Sequence, residues 1–248
     1  MQSASAPIVL AITGASGAAY GVRLLQQLTL ARIDVHVLIS PSGSAVIAQE
    51  LGIVLRGAGP ERLLPLFQYA WPDRDESLRG EALHSDAGMR RWEPLDPEVI
   101  EACMARTREH DYRNFMTPVA SGSFLTRGMV VCPCSGATLS GIVHASGNNL
   151  IQRAADVHLK EHRKLIVVPR ETPMSVFQLE NMTRAAQAGV IVLPAMPGWY
   201  HGVTSPVDLI DFVVARILDQ LHVPHGLMQR WGSAPIECLP EHARTGDE

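Results

Sequence analysis

The sequence predicts an α/β protein: a Rossmann-like three-layer sandwich with a central parallel sheet. Three observations carry this. Short apolar runs alternate with helix-period segments almost throughout the 248 residues, the pattern of repeated strand–helix–strand units. Runs such as "LIVV" are continuously apolar, as strands covered on both faces are. The turn after the first run, "TGASG", is short and glycine-rich, as a tight strand-to-helix connection requires.

In chain order, "PIVLAITG" is the first strand and "AAYGVRLLQQLTLA" the helix after it. "DVHVLIS" is the second strand, followed by a helix over "SAVIAQELG". "GMVVCP", "KLIVVPR" and "VIVLPAM" are later strands, separated by helices at "ATLSGIVHAS", "NLIQRAADVHLKEH" and "SVFQLENMTRAAQAG". "SPVDLIDFVVARILDQL" is a long amphipathic helix with Ser205 as its cap and Pro206 in its first turn. Residues 57–114 break the rhythm with Pro60, Pro72, Pro94, Pro97 and many charges. They are expected to form a partly helical insertion on the rim of a single domain spanning 1–248, with a tail from about residue 233.

Composition narrows the function. Hydrophobic residues make up 46%, charged residues 19%, and the net charge is −4, which gives no footprint for nucleic acid. The apolar runs are strand-sized, too short to span a bilayer. The start, "MQSASAPIVLAITG", lacks a basic region and a cleavage signature, so a cytoplasmic protein is expected. Cys103, Cys132, Cys134 and Cys238 make neither a metal spacing nor a disulfide framework. Cys132 and Cys134, at a strand end, are expected to be small buried residues.

"ITGASGAAYG" places Gly14, Ala15, Ser16 and Gly17 between the first strand and first helix. Glycines let a ligand approach the backbone, and a helix start offers unpaired N–H groups to a phosphate. A tight turn capped by serine would look the same. No Gly-Lys-Ser/Thr follows, so this is not a Walker loop, and the second strand ends on Ser40 rather than an acidic residue, which disfavours a dinucleotide. "PCSGATLSG" repeats the arrangement, with Ser135, Gly136, Ala137 and Thr138 opening a helix. Helix capping accounts equally well for Ser135 or Thr138.

In "NLIQRAADVHLKEH", Arg153, Asp156 and Lys160 are three and four residues apart and share a helix face. Such a face is ordinarily solvated. The next strand ends on Arg170 and Glu171, so Arg153, Lys160 and Arg170 can be read as converging on a phosphate, with Glu171 placed to carry a proton. "HLKEH", residues 158–162, matches an inverted zinc-protease pattern through His158, Glu161 and His162. The interposed Lys160 and the α/β pattern speak against that reading.

Several stretches resemble the UbiX-type flavin prenyltransferases. These are "ITGASGAAYGVRLLQ", "SGSFLTRGMVVCPCS", "NLIQRAADVHLKEHRKLIVVPRETP", "LENMTRAAQAGVIVLPAMPGWYH" and "DLIDFVVARILDQL". The resemblance implies a metal-independent enzyme that joins a dimethylallyl group from its monophosphate to reduced FMN, at ring nitrogen-5 and carbon-6. The product, prenylated FMN, would serve UbiD-type decarboxylases, and the assembly would be a dodecamer with FMN between subunits. By the same resemblance, Gly14, Ala15, Ser16, Ser40, the Ser135–Gly136–Ala137–Thr138 turn and Arg153 would contact FMN. Lys160, Arg170, Glu171, Tyr200 and Arg216 would form the dimethylallyl phosphate and acid–base set, with Glu50 a further catalytic carboxylate and Trp231 beside the site.

Each residue also has a plain structural reading: a half-buried tyrosine, a snorkelling arginine, a helix-end carboxylate, a packing tryptophan. The chain departs from the family where "SGAT" stands for the usual "SMKT", so Ala137 replaces a lysine, and where "GNNL" stands for "ADNL". Flavin-dependent cysteine decarboxylases share the fold but carry a "PxMNxxMW" loop where this chain has "PAMPGWYHG". A flavoprotein chaperone that binds prenylated FMN without making it is the non-catalytic alternative.

Overall fold

The structure is a computed structural model that describes residues 6–71, 92–200 and 203–228. Six parallel strands form one sheet in the order β3-β2-β1-β4-β5-β6. They are β1 (Ile8–Ile12), β2 (Val35–Ile39), β3 (Thr107–His110), β4 (Gly128–Cys134), β5 (Leu165–Pro169) and β6 (Ile191–Val192). The helices are α1 (Ala18–Leu30), α2 (Pro41–Leu51), α3 (Leu64–Gln68), α4 (Pro97–Ala105), α5 (Gly136–Val143), α6 (Leu150–Lys160), α7 (Val176–Gln187) and α8 (Pro206–Gln220).

The continuous apolar runs have the expected cause, since every residue of β1, β2, β4 and β5 is buried. Side chains alternate between two cores, as the strand period of two requires. Ile8, Leu10 and Ile12 of β1 pack with α1, α3, α4 and α8. Val9 and Ala11 pack on the other face with α5, α6 and α7. The three-layer arrangement read from the sequence is therefore observed. α8 begins at the expected Ser205–Pro206 signal, with a capping box between Ser205 and Asp208.

Two elements differ from expectation. β6 stops at Val192 because Pro194 cannot donate to a ladder, although Leu193 and Ala195 still donate to Val167 and Pro169 of β5. β3 lies inside the charge-rich stretch 57–114, yet its residues, "TREH", form the sheet edge. Its charges suit an edge strand, and Arg62 pairs with Glu109 there. Trp92, in the same stretch, is 2% exposed and packs against α1.

Three buried histidines set a pH dependence. His36 Nδ1 and His110 Nε2 are 2.7 Å apart across β2 and β3, with stacked rings. Burial, then His110 and Arg108, lower the His36 pKa to about 4 against a weaker opposing pull from Asp34. Burial and Arg108 also lower His110, and burial lowers His158 to about 4 despite carbonyl contacts that raise it. The unfolded chain, with histidine near the ordinary 6.5, then binds more protons than the folded one between these values. Folding stability is full above about pH 6.5 and is lost as pH falls towards 4. The urea midpoint should drop across that window; a midpoint constant through it would contradict the burial of these rings.

Candidate active site

The strand order reverses at β1, so the crevice between the carboxyl ends of β1 and β4 is the topological switch point, where open α/β sheets bind ligands. Thr13 joins the two strand ends: its hydroxyl donates to the Pro133 carbonyl at 2.8 Å and accepts from Ser135 N–H at 2.9 Å. Both small-residue turns thus open on one crevice. Gly14 is required on the first, because a Cβ there would stand 2.4 Å from Ser42 Cβ. Gly17 adopts φ 108°, a left-handed conformation that suits glycine.

The expectation that the start of α1 offers free N–H groups is corrected. Glu50, from the last turn of α2, accepts from Gly17 N at 2.9 Å and Ala18 N at 2.8 Å. Its carboxylate occupies the positive end of the α1 dipole. Glu50 is therefore a cap as well as a carboxylate at the crevice. Ser40 caps α2 by accepting from Gly43 N, and Ser135 caps α5 by accepting from Thr138 N. The Ser135 hydroxyl also donates to Thr138 Oγ1 at 3.0 Å. The capping reading of Ser135 holds, whereas α1 has Gly17 at its cap position and no serine cap, and the exposed Ser16 and Ala137 remain on the open side of the turns.

Arg170 and Glu171 leave the end of β5 separately rather than as an ion pair. Arg170 Nε donates to the Ser16 carbonyl at 3.2 Å, spanning the crevice from β5 to the first turn. Glu171 accepts from Thr172 N and from Gln178 Nε2, both at 3.2 Å. Both residues line a small cavity with Cys134, Gly136 and Leu139, between the ends of β4 and β5 and helix α7. A larger cleft of about 850 Å³ follows the edge strand β3, lined by Arg62, Arg108, Glu109 and Tyr112. It lies two strands away from the switch point.

Tyr20 belongs to the crevice although the sequence reading passed over it. Burial raises its phenol pKa, and Cys132 and Glu50 raise it further while Arg170 opposes them. Its ring lies against the Gly17 turn. Its position in the first turn of α1, directly after the glycine turn, is the signal that could have revealed it.

One chain does not assemble the whole predicted set. Lys160, the last residue of α6, pairs with Glu161 at 3.6 Å. Arg216 pairs with Asp219 at 2.6 Å near the end of α8. Both ends lie at the amino-terminal edge of the sheet, where Lys164 and Arg127 bond the last carbonyls of α8, Gln220 and Leu221. Arg170 and Glu171 sit at the opposite edge. Arg153 is held on α6 by the Ala120 carbonyl and by Asp156 at 2.9 Å. The expected convergence is thus corrected for Lys160 in a single chain. α6 starts beside Tyr112, just past the carboxyl end of β3, and runs back down the sheet, so it carries Lys160 away while Arg153 stays in its first turn. Tyr200, 59% exposed after β6, meets Phe212 edge-on at 5.9 Å between centroids. Trp231 lies outside the described residues.

The remaining candidates are structural. Burial pushes the Cys132 thiol up, and that of Cys134 to about 12, so neither is a thiolate at neutral pH. His158 has both ring nitrogens engaged, with Ala154 O and Thr126 Oγ1, which leaves no lone pair for zinc.

A family model described as Flavoprotein matches residues 1–218. The flavin prenyltransferase UbiX of Pseudomonas aeruginosa is 40% identical over 225 residues, covering 91% of this chain and 93% of that relative. Among solved structures, AnUbiX in complex with FMN and dimethylallyl pyrophosphate superimposes with a TM-score of 0.69 at 31% identity, covering 92% of this chain and 98% of that one. A dodecameric FMN-dependent UbiX-like decarboxylase from Escherichia coli O157:H7 gives a TM-score of 0.68 at 32% identity, covering 91% and 98%.

Proposed function

The chain belongs to the UbiX-type flavin prenyltransferases, and on that premise we propose that it transfers a dimethylallyl group from dimethylallyl monophosphate to reduced FMN. The observation that carries this reading is the switch-point crevice, where two small-residue turns face a cation and a carboxylate delivered by one strand end. The fit to FMN is physical. Gly14 and Gly136 let the two turns pack closely against Ser42 and Gln178, the exposed Ser16 supplies a hydroxyl, and Ser135 and Thr138 fix the second turn. When bound, reduced FMN supplies the nucleophilic ring atoms.

The chain's own residues do the rest. Arg170 places positive charge where the allylic phosphate departs, which stabilises the developing anion. Glu171 holds a carboxylate beside it, able to take the proton released as the new ring closes. Glu50 fixes the first turn through the α1 N–H groups. Holding both reactants in one crevice removes the entropic cost of their encounter.

Lys160, Arg153, Arg216 and Tyr200 complete the site, in our reading, from neighbouring copies. The surface supports assembly: Val176, Phe177, Met196 and Trp199 are each more than 60% exposed at the α7 start and after β6, an apolar patch of the kind that marks an interface. We extend to this chain the dodecameric state named for the Escherichia coli O157:H7 relative. No helix among the described residues is long and apolar enough to cross a membrane, and the same reading places the protein in the cytoplasm, its product passing to a UbiD-type decarboxylase.

The test is direct. Purified protein, reduced FMN and dimethylallyl monophosphate should yield a flavin heavier by one five-carbon unit. An unchanged flavin mass, beside an active control enzyme, would leave only a flavin-binding role.

A further inference from the structure

We propose that Gln178 is a positioning residue whose side-chain amide, locked by the cap of α7, holds the Glu171 carboxylate at the small cavity between the ends of β4 and β5. The proposal rests on the prenyl-transfer reading for what Glu171 does, but not for the contact itself.

The geometry begins at the helix start. Ser175 caps α7 and accepts from Gln178 N, while the Gln178 side chain accepts from Ser175 N at 2.8 Å. That second bond settles the orientation of the amide. The partner of Ser175 is a backbone N–H, so the atom facing it must be the amide oxygen. The NH2 group is thereby forced to the other side, where it meets Glu171 Oε2 at 3.2 Å. The other carboxylate oxygen, Oε1, accepts from Thr172 N at 3.2 Å. Both oxygens of an exposed and otherwise mobile carboxylate are thus held, one by backbone and one by a side chain that cannot flip.

A second strand end makes room for this arrangement. A Cβ on residue 136 would stand 3.0 Å from Gln178 Nε2. Gly136 therefore matters here as the gap into which the amide fits, whatever contact it makes with flavin. Gly136, Glu171 and Gln178 all line the same cavity, with the Arg170 guanidinium beside them. The amide does for Glu171 what a fixed donor does for any carboxylate: it favours a single orientation. That helps a group that must accept a proton at a defined place.

Gln178→Met removes the donor to Glu171 without adding charge, and Gln178→Glu removes it while keeping the acceptor that closes the helix cap. Gln178→His offers a ring N–H donor in its place. The readouts are the pH–rate profile of prenyl transfer and an isotope-edited infrared titration of 13C-carboxyl glutamate, with Glu171→Gln identifying the band of that one carboxyl. If Gln178 positions Glu171, the uncharged Gln178→Met lowers the rate about tenfold or more and moves both the acid limb and the Glu171 band upward, as loss of a hydrogen bond to a charged group does. Gln178→Glu moves them further because it adds a second carboxylate. Gln178→His recovers a measurable part of both. Gly136→Ala, which pushes the amide away, shifts the band in the same direction. If Gln178→Met matches the wild type in profile and band, Gln178 is a helix cap alone and the proposal fails. Should the wild-type protein make no prenylated flavin, the function reading fails by itself, and the infrared band still decides whether Gln178 holds Glu171.

Discussion

Arg170→Ala is expected to lower the rate of prenyl transfer about 10²–10³-fold, the usual cost of removing one pre-placed charge-stabilising donor, with little change in FMN affinity. Three features lead to this. Arg170 stands at the carboxyl end of β5, it reaches across the crevice to Ser16 O, and no described carboxylate neutralises it. A cation held by a carbonyl keeps its full charge for an incoming phosphate, whereas Lys160 and Arg216 are each shared with an acidic neighbour in the single chain. Arg170→Lys should recover only part of the loss, since lysine lacks the planar fork that holds Ser16 O and a phosphate together. Lys160→Ala should be similarly impaired if copies share the site. Mixed assemblies of Arg170→Ala and Lys160→Ala subunits should then regain activity, because some sites receive an intact Arg170 from one copy and an intact Lys160 from another. Mixed assemblies no more active than their parents would show that Lys160 belongs to no shared site.

That complementation also marks where sequence reasoning reached its boundary. The sheet was legible because its strands are buried on both faces, so that "IVLAI", "VHVLI" and "LIVVP" carry no polar interruption. The glycine turns and the "PRETP" stretch were legible as small or charged residues at strand ends. β3 was not, because an edge strand needs only one covered side, and "TREH" meets that need with charges. Gln178 was not, because its part depends on a helix cap choosing which end of an amide faces Glu171, which no spacing rule encodes. Lys160 and Arg216 were read correctly as cations on helix faces. Sequence adjacency brought Lys160 near Arg170 on paper, while the return path of α6 separates them by the length of β5. A motif read along the chain does not say which copy it serves.

Trp92→Ala is expected to lower folding stability by about 3–5 kcal/mol, the range for deleting a large buried aromatic side chain. It should leave the chemistry of the crevice intact in the protein that remains folded. Trp92 is 2% exposed and lies among Tyr69, Trp71 and α1. Its indole N–H donates to Gln26 Oε1 at 2.6 Å, and Gln26 Nε2 in turn donates to Leu66 O and Tyr69 O. Gln26 is fully buried, so truncating Trp92 leaves an amide oxygen unpaired as well as a void. The Arg23 guanidinium, 5.1 Å from the ring centroid, loses its aromatic face but keeps its bond to Asp211. Gln26 is nine residues along α1 from Gly17, roughly 13 Å at the helical rise, which is why catalysis should survive. Trp92→Phe separates the two contributions: it fills most of the volume but removes the N–H, so its loss should be about 1–3 kcal/mol, the cost of a stranded buried acceptor. Urea titrations at one fixed protein concentration would read both values. If Trp92→Ala cost less than about 1 kcal/mol, below the range for a filled core position, the residues around Trp92 would be an appendage rather than part of the core that α1 and α8 share.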